Sequence, residues 1–338
     1  GNLSFGSLAN ATLGGISGNQ NVALGNTAVS VGNNNASTTY GGTMSGGGGL
    51  TKIGTGTLTL NNTNSYTGST TVNGGAMTVA TGASLASGSV SVASGGTLNV
   101  NGSISQTANV TTGGTVNFAG NTSTSATLTR KLGTLTINPG GTAEVLASAS
   151  TLQPEILQPS SVSFGDNTSK LDLTNNELLT AGSAAAIAPS VASGQISSST
   201  TTTSTGLGYI DQPGSTVEVR YTLLGDSNLD LKVDVGDLGA LATSYGVTGG
   251  VLWSNGDFNH DSKVDVGDLG ALATNYGSSL AANSGGSSAS AASPASMVAS
   301  DLAVVASGGS AAVPEPASLT LIGLGAMSLL ARRRRRRV

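Results

Sequence analysis

Residues 46–80 read GGGGLTKIGTGTLTLNNTNSYTGSTTVNGGAMTVA. Within this stretch Gly56-Thr57-Leu58-Thr59-Leu60 and Gly75-Ala76-Met77-Thr78-Val79 share one pattern: a glycine, a small residue, then an apolar-polar-apolar triplet. Further out it returns as Gly96-Thr97-Leu98-Asn99-Val100, Gly114-Thr115-Val116-Asn117-Phe118 and Gly133-Thr134-Leu135-Thr136-Ile137, at successive offsets of 19, 21, 18 and 19 residues. A period near twenty predicts a solenoid in which each turn repeats one supersecondary unit. Alternation places Leu58, Leu60, Met77, Val79, Leu98 and Val100 on one face, and Thr59, Thr78 and Asn99 on the other. Val72, Val92, Val110 and Leu128 mark a second register, so two or more short strands per coil are expected. The pairs Gly74-Gly75, Gly95-Gly96 and Gly113-Gly114 precede strands, where a left-handed turn is cheap only for glycine. Residues 1–150 therefore predict a parallel β-solenoid in a mainly β protein. A disordered Gly/Ser/Thr segment is the alternative, and the regular apolar spacing counts against it.

The same 35 residues resemble the autotransporter-associated β-strand repeat, which carries a similar run of LTKxGxGTLTL followed by NxYTGxTTV. The resemblance implies a right-handed β-helix exported to the cell surface, structural or adhesive in role. The outer-membrane barrel of autotransporters is not in this sequence, so the resemblance speaks to architecture more than to export route.

Composition narrows the function. The 338 residues include 51 Gly and no Cys, and only 9% are charged, unlike an ordinary soluble enzyme. Six of the 13 basic residues are Arg332 to Arg337, which leaves seven against 17 acidic residues before them. No basic cluster precedes that run, so no nucleic-acid partner is expected. Across residues 1–150 the only Asp, Glu, Lys, Arg or His residues are Lys52, Arg130, Lys131 and Glu144. Glycoside chemistry needs converging carboxylates, and this part is expected to be non-catalytic. The chain begins at Gly1 without a basic-then-apolar leader and reads as part of a longer precursor.

A second pattern occupies residues 225–277. GDSNLDLKVDVGDLGALATSYG and GDFNHDSKVDVGDLGALATNYG start 31 residues apart, and they hold eight of the 17 acidic residues. Oxygen-bearing side chains fall at loop positions 1, 3, 5, 9 and 12: Asp226, Asn228, Asp230, Asp234 and Asp237, then Asp257, Asn259, Asp261, Asp265 and Asp268. Carboxylates crowded about one point repel unless a hard cation lies between them. The spacing matches an EF-hand-like calcium loop, with position 7 supplying the backbone carbonyls of Lys232 and Lys263. Two calcium ions are expected, one per loop. Leu238, Leu241, Ala242 and Tyr245, like Leu269, Leu272, Ala273 and Tyr276, then follow helical spacing, so each ion would pin a helix start. Asp-rich turns that cap helices without metal are the bland alternative. His260, at position 4, is expected to point into solvent.

The pair is similar to a type I dockerin domain, which implies a cohesin-like partner. Where that family often has Ser/Thr at loop positions 10 and 11, this chain has Val235-Gly236 and Val266-Gly267; position 6, usually Gly, is Leu231 or Ser262. Residues 151–224 read as a β-rich cap or connector, with Val217, Val219, Tyr221 and Leu223 on the buried face of one strand. Residues 278–312 read as a flexible linker.

The C-terminus joins Pro314-Glu315-Pro316, a mostly apolar span over 317–331 and the six arginines. The span is short for a membrane-crossing helix, and the arginines would hold its cytoplasmic end. Residues 313–338 resemble the PEP-CTERM sorting signal. That resemblance implies an exosortase-type membrane protease that cuts at the motif, transient inner-membrane anchoring, a Gram-negative-type bacterium, and delivery to the envelope, surface or matrix. The whole reads as a surface or matrix structural or adhesive protein, in contact with polysaccharide or matrix. The alternative is a non-catalytic appendage of a polysaccharide-active enzyme encoded upstream.

Overall fold

The computed structural model describes residues 3–280. They lie within the first of two units of the chain, Gly1–Ser288, while the second, Ala289–Val338, lies outside the described residues. The expected apolar-polar alternation becomes strands of mostly two to five residues that stack in parallel, coil on coil, for about nine turns. In one sheet Leu58, Met77, Leu98 and Val116 align rung on rung, and Leu60, Val79, Val100 and Phe118 do the same beside them. All eight are buried, and alternate residues such as Thr59, Thr78 and Asn99 are not. A second sheet carries Leu50, Thr70, Val90 and Val110 in register, and a third short ladder joins Asn64, Leu85 and Ile104. Up to Ile104, coils with three strands thus enclose a continuous apolar core; beyond it the third ladder stops and the two longer sheets carry on.

The stack also buries a cation at one corner. Lys52 is 1% exposed, and its Nζ donates to the carbonyls of Ile53 (2.7 Å), Gly54 (3.0 Å) and Gly74 (3.2 Å), satisfying turn acceptors in adjacent coils. Burial pushes its pKa down. Of the glycine pairs, Gly75 and Gly95 adopt positive φ (60° and 82°), as expected. Neither Gly113 nor Gly114 does. Gly114 is required by proximity instead, since a β-carbon there would lie 2.3 Å from the carbonyl oxygens of Ala93 and Gly96 in the coil below.

The sequence period slips at the fifth repeat. Leu135 and Ile137 do not continue the Val116–Phe118 ladder; they pair with Val110 and Thr112 in the other sheet. The true successors of Val116 and Phe118 are Ala143 and Val145, one coil of 27 residues later. Leu128, expected in the second register, is 45% exposed and pairs with Glu155. Residues 119–127 lengthen this coil, and because both sheets use the same alternating triplet, the motif alone cannot say which sheet it feeds.

Parallel stacking carries on past residue 150. Strands Leu128–Ile137 and Glu155–Phe164 pair along their whole length, and Ile196 continues the ladder from Ala143 and Leu171. Strand Glu177–Ala181 then pairs antiparallel with Thr216–Leu223, itself hairpinned to Thr205–Gln212. This hairpin covers an edge that would otherwise present unpaired backbone groups. Val217, Val219, Tyr221 and Leu223 are buried on it as expected. Helix α1 (Ala184–Ala192), capped by the Ser183 side chain, is not foreseen in the sequence.

Candidate metal centre

Each aspartate loop folds as a tight, self-bonded turn leading into a helix: α2 (Val235–Ser244) or α3 (Val266–Asn275). The two copies have the same geometry. In the first, Asp226 Oδ1 accepts from the Asp230 amide (3.1 Å), Asp226 Oδ2 from the Leu231 amide (2.9 Å), and Asn228 Oδ1 from the Asp230 amide (2.9 Å). In the second, Asp257 and Asn259 receive the amides of Asp261 and Ser262 at 3.0–3.1 Å. Amides of Lys232 and Lys263 donate to Asp230 and Asp261. These turns force positive φ at positions 4 and 6: Leu229 (59°), Leu231 (69°), His260 (61°) and Ser262 (65°). Left-handed backbone at four non-glycine residues is costly, so the loop shape is over-determined by its other contacts.

Positions 9 and 12 close each turn onto its helix. Asp234 and Asp265 cap α2 and α3, accepting from Gly236 and Gly267, while Asp237 and Asp268 bond back to the cap amides. Asp237 also receives the Ser227 amide and hydroxyl, both at 2.8 Å. The capping role expected of metal-free Asp-rich turns is thus present in this geometry.

The charge balance separates these loops from ordinary caps. Asp226, Asp237, Asp257 and Asp268 are each at most 2% exposed, and Asn228, Asp230, Asn259 and Asp261 stand at the surface. Among the described residues the ion pairs are Arg130–Glu155 and Arg220–Glu218, so none of the eight loop carboxylates has a Lys or Arg partner. Burial pushes the Asp226 carboxyl up to about 6; hydrogen bonds from Thr222 and Leu231 oppose the rise, and Asp237 and Asp230 add to it. Asp257 is likewise pushed up to about 6 by burial and by Asp268 and Asp261, against the amide bonds it accepts. Buried carboxylates without a counter-charge fit a hard cation that would supply one. Among the described residues no three His, Asp or Glu side chains converge as a preformed cage. The expected sets draw further oxygens from Asn228, Asn259 and the carbonyls of Lys232 and Lys263.

Several side chains depart from expectation. Leu241 and Leu272 are buried and Leu238 and Leu269 partly so, but Ala242, Ala273, Tyr245 and Tyr276 face solvent, so each helix buries a narrower stripe than its spacing predicts. His260 does not point into solvent: it stacks on Tyr209 (5.6 Å between ring centroids) and tilts against Trp253 (5.4 Å), and burial lowers its pKa. The two repeats embrace, because a β-carbon at Gly225 would strike Leu272 Cα (2.8 Å) and one at Gly256 would strike Leu241 Cα (2.9 Å). Thr222, Trp253 and Asn275, which join this pair to the solenoid, carry no motif by which sequence reasoning could have found them.

Elsewhere a groove of about 500 Å³ follows the third ladder, lined by Leu85, Ile104, Leu128, Arg130 and polar neighbours. Arg130 is committed inside it: it pairs with the fully buried Glu155, donates to the Gly102 carbonyl (2.7 Å) and lies over the Phe118 ring.

Pro314, Glu315, Pro316 and the span 317–331 lie outside the described residues. Among the described residues no helix is long and apolar enough to cross a membrane. Comparison with known families finds two matches. The passenger-associated-transport repeat matches residues 50–79, the strands from Leu50–Lys52 to Gly75–Val79. The PEP-CTERM protein-sorting motif matches residues 312–336. No curated protein and no solved structure matches the chain. The fold and the two matches define a β-solenoid repeat protein that carries a PEP-CTERM sorting signal. That signal implies export to the cell envelope or surface and processing by an exosortase, a membrane protease.

Proposed function

We propose that this is a non-catalytic structural or adhesive protein of the cell surface or extracellular matrix, held transiently in the inner membrane through residues 317–331 and released when exosortase cuts near Pro314-Glu315-Pro316. The observation that carries the reading is the joining of a long, regular, weakly charged solenoid to a sorting signal. Its outward rows of Ser, Thr and Asn suit contact with polysaccharide or matrix. Within it, the loops at 225–277 bind two calcium ions. Asp226, Asn228, Asp230, Asp234, Asp237 and the Lys232 carbonyl hold one ion; Asp257, Asn259, Asp261, Asp265, Asp268 and the Lys263 carbonyl hold the other. The uncompensated buried carboxylates support this assignment. A cohesin-like partner rests on the dockerin resemblance alone, because Val235 and Val266, each 72% exposed, replace the Ser/Thr often found at that family's contact positions.

Mass spectrometry of the surface-displayed protein in the native host tests the sorting reading. A mature C-terminus near Pro314-Glu315-Pro316, abolished by Glu315→Ala, is expected; retention of Arg332 to Arg337 on the displayed protein overturns it. Titration calorimetry with Ca²⁺ tests the loops. Two ions per chain are expected, and absence of binding heat together with no change in circular dichroism overturns the assignment.

A further inference from the structure

The first loop is built into the end of the solenoid. Thr222, fully buried on the last solenoid strand, donates its hydroxyl to Asp226 Oδ2. The backbone carbonyl of the same Asp226 accepts the indole N–H of Trp253 at 2.5 Å. Trp253 is itself fully buried, edge-on to Phe258, and so close to strand Thr205–Gln212 that a β-carbon at Gly208 would lie 2.7 Å from its ring. From the far end of α3, Asn275 Nδ2 donates to the carbonyls of Ser204 (2.9 Å) and Leu224 (2.7 Å), one at each side of the hairpin. The second loop touches the solenoid differently, through the His260 ring on Tyr209.

We propose that Thr222 and Trp253 are supporting residues of the first calcium loop, so that calcium at Asp226 locks the terminal hairpin of the solenoid. This rests on the calcium assignment above. Thr222 fixes one oxygen of the position-1 carboxylate, and Trp253 fixes the backbone that carries it. Opening the hairpin pulls Thr222 away and leaves Asp226 Oδ2 held by the Leu231 amide alone. An ion that favours the closed loop therefore favours the closed hairpin by linkage. A module tethered only by its chain would bind calcium without this effect.

Hydrogen exchange of the full chain with and without Ca²⁺, run beside calorimetry, decides between these. With free Ca²⁺ at one hundred times Kd, amides of Thr205–Gln212 and Thr216–Leu223 that exchange by hairpin opening should slow by up to about a hundredfold, and those of Thr57–Leu60 should not change. Thr222→Val should weaken the first site by about tenfold and shrink that protection, as outer-shell partners of metal ligands do, while Thr222→Ser should restore both. Two ions bound with unaltered hairpin exchange would overturn the lock and leave the calcium assignment standing. No ion bound would overturn both. Hairpin protection that survives intact in a folded Thr222→Val protein would overturn the role of Thr222. If Thr222→Val fails to fold, Trp253→Phe, which keeps the ring and loses the N–H donor, takes its place with the same expected loss of protection and the same overturning result.

Discussion

Two glycine-to-alanine substitutions should have opposite signs, and the coil spacing says why. At Gly114 the new β-carbon would sit 2.3 Å from the carbonyl oxygens of Ala93 and Gly96 and 3.2 Å from Val92 Cγ1. A carbon–oxygen contact needs about 3.3 Å, so the coils must part there by roughly 1 Å. That movement strains the rung bonds on either side, Gly113 N to Val92 O and Thr142 N to Gly114 O, both 2.8 Å. Overpacking costs about 1–3 kcal/mol and each weakened bond up to about 1 kcal/mol, so Gly114→Ala should destabilise by on the order of 3 kcal/mol. Gly88 is exposed, its φ is not left-handed, and nothing lies within 4 Å of its added β-carbon. There alanine restricts the unfolded chain and should stabilise by about 0.4–1 kcal/mol. Urea unfolding followed by far-ultraviolet circular dichroism measures both. Because each coil contacts only its neighbours, Gly114→Ala should also broaden the transition as the stack divides near that coil. Equal midpoints for the two variants would refute the claim that backbone proximity, rather than turn conformation, fixes Gly114.

Three further outcomes follow from buried charge and from loop backbone. Burial, reinforced by Glu218 and opposed by Arg220, pushes the Glu177 carboxyl up to about 7. Its contribution is therefore intact below the unfolded value and is lost as pH rises through about 7, so Glu177→Gln should stabilise at pH 8 by up to about 3 kcal/mol and by nothing at pH 4 in urea melts. Arg130→Met leaves Glu155 buried without its cation and should cost about 3–5 kcal/mol, most of it recovered when Glu155→Leu is added; a double variant no more stable than the single one would show that the pair itself is needed. Relieving left-handed strain at exposed Ser262 by Ser262→Gly should tighten the second calcium site by about fivefold in calorimetry, whereas Leu231→Gly should gain less because it also forfeits a buried side chain.

The solenoid was legible where the coil length is constant. From Leu58 to Phe118 the triplets recur every 18 to 21 residues, and counting alone places the core side chains of that ladder, though not Leu85 and Ile104 of the third one. It failed where residues 119–127 lengthen the coil. Leu135 and Leu128 were then assigned by period to ladders that they do not join, because alternation marks which face is buried but not which sheet a strand enters. Glycine spacing has the same ambiguity: Gly95 needs its conformation, Gly114 needs its missing side chain and Gly75 needs both, and one letter encodes all three.

The aspartate loops reverse this balance between local and distant information. Their turns are held by bonds spanning two to five residues, so local spacing points to the turn at position 6 and the helix that follows, while the left-handed backbone at position 4 is seen only in the structure. Their attachment is held over longer distances: Asn275 bonds Leu224 and Ser204, 51 and 71 residues away, and Trp253, bonded within the pair to Asp226, packs against Gly208 of the hairpin. Nothing periodic announces those, and a lone tryptophan or asparagine has no partner until the chain has folded. His260 illustrates the consequence. Judged by its loop it points outward, but outward from that loop is where the hairpin places Tyr209. The direction of a loop side chain is thus local, whereas its burial belongs to whatever the rest of the fold brings to meet it. The spacing within a two-loop pair is therefore silent about its surroundings: here Thr222 of the hairpin bonds Asp226, and Trp253, between the loops, packs against the hairpin at Gly208.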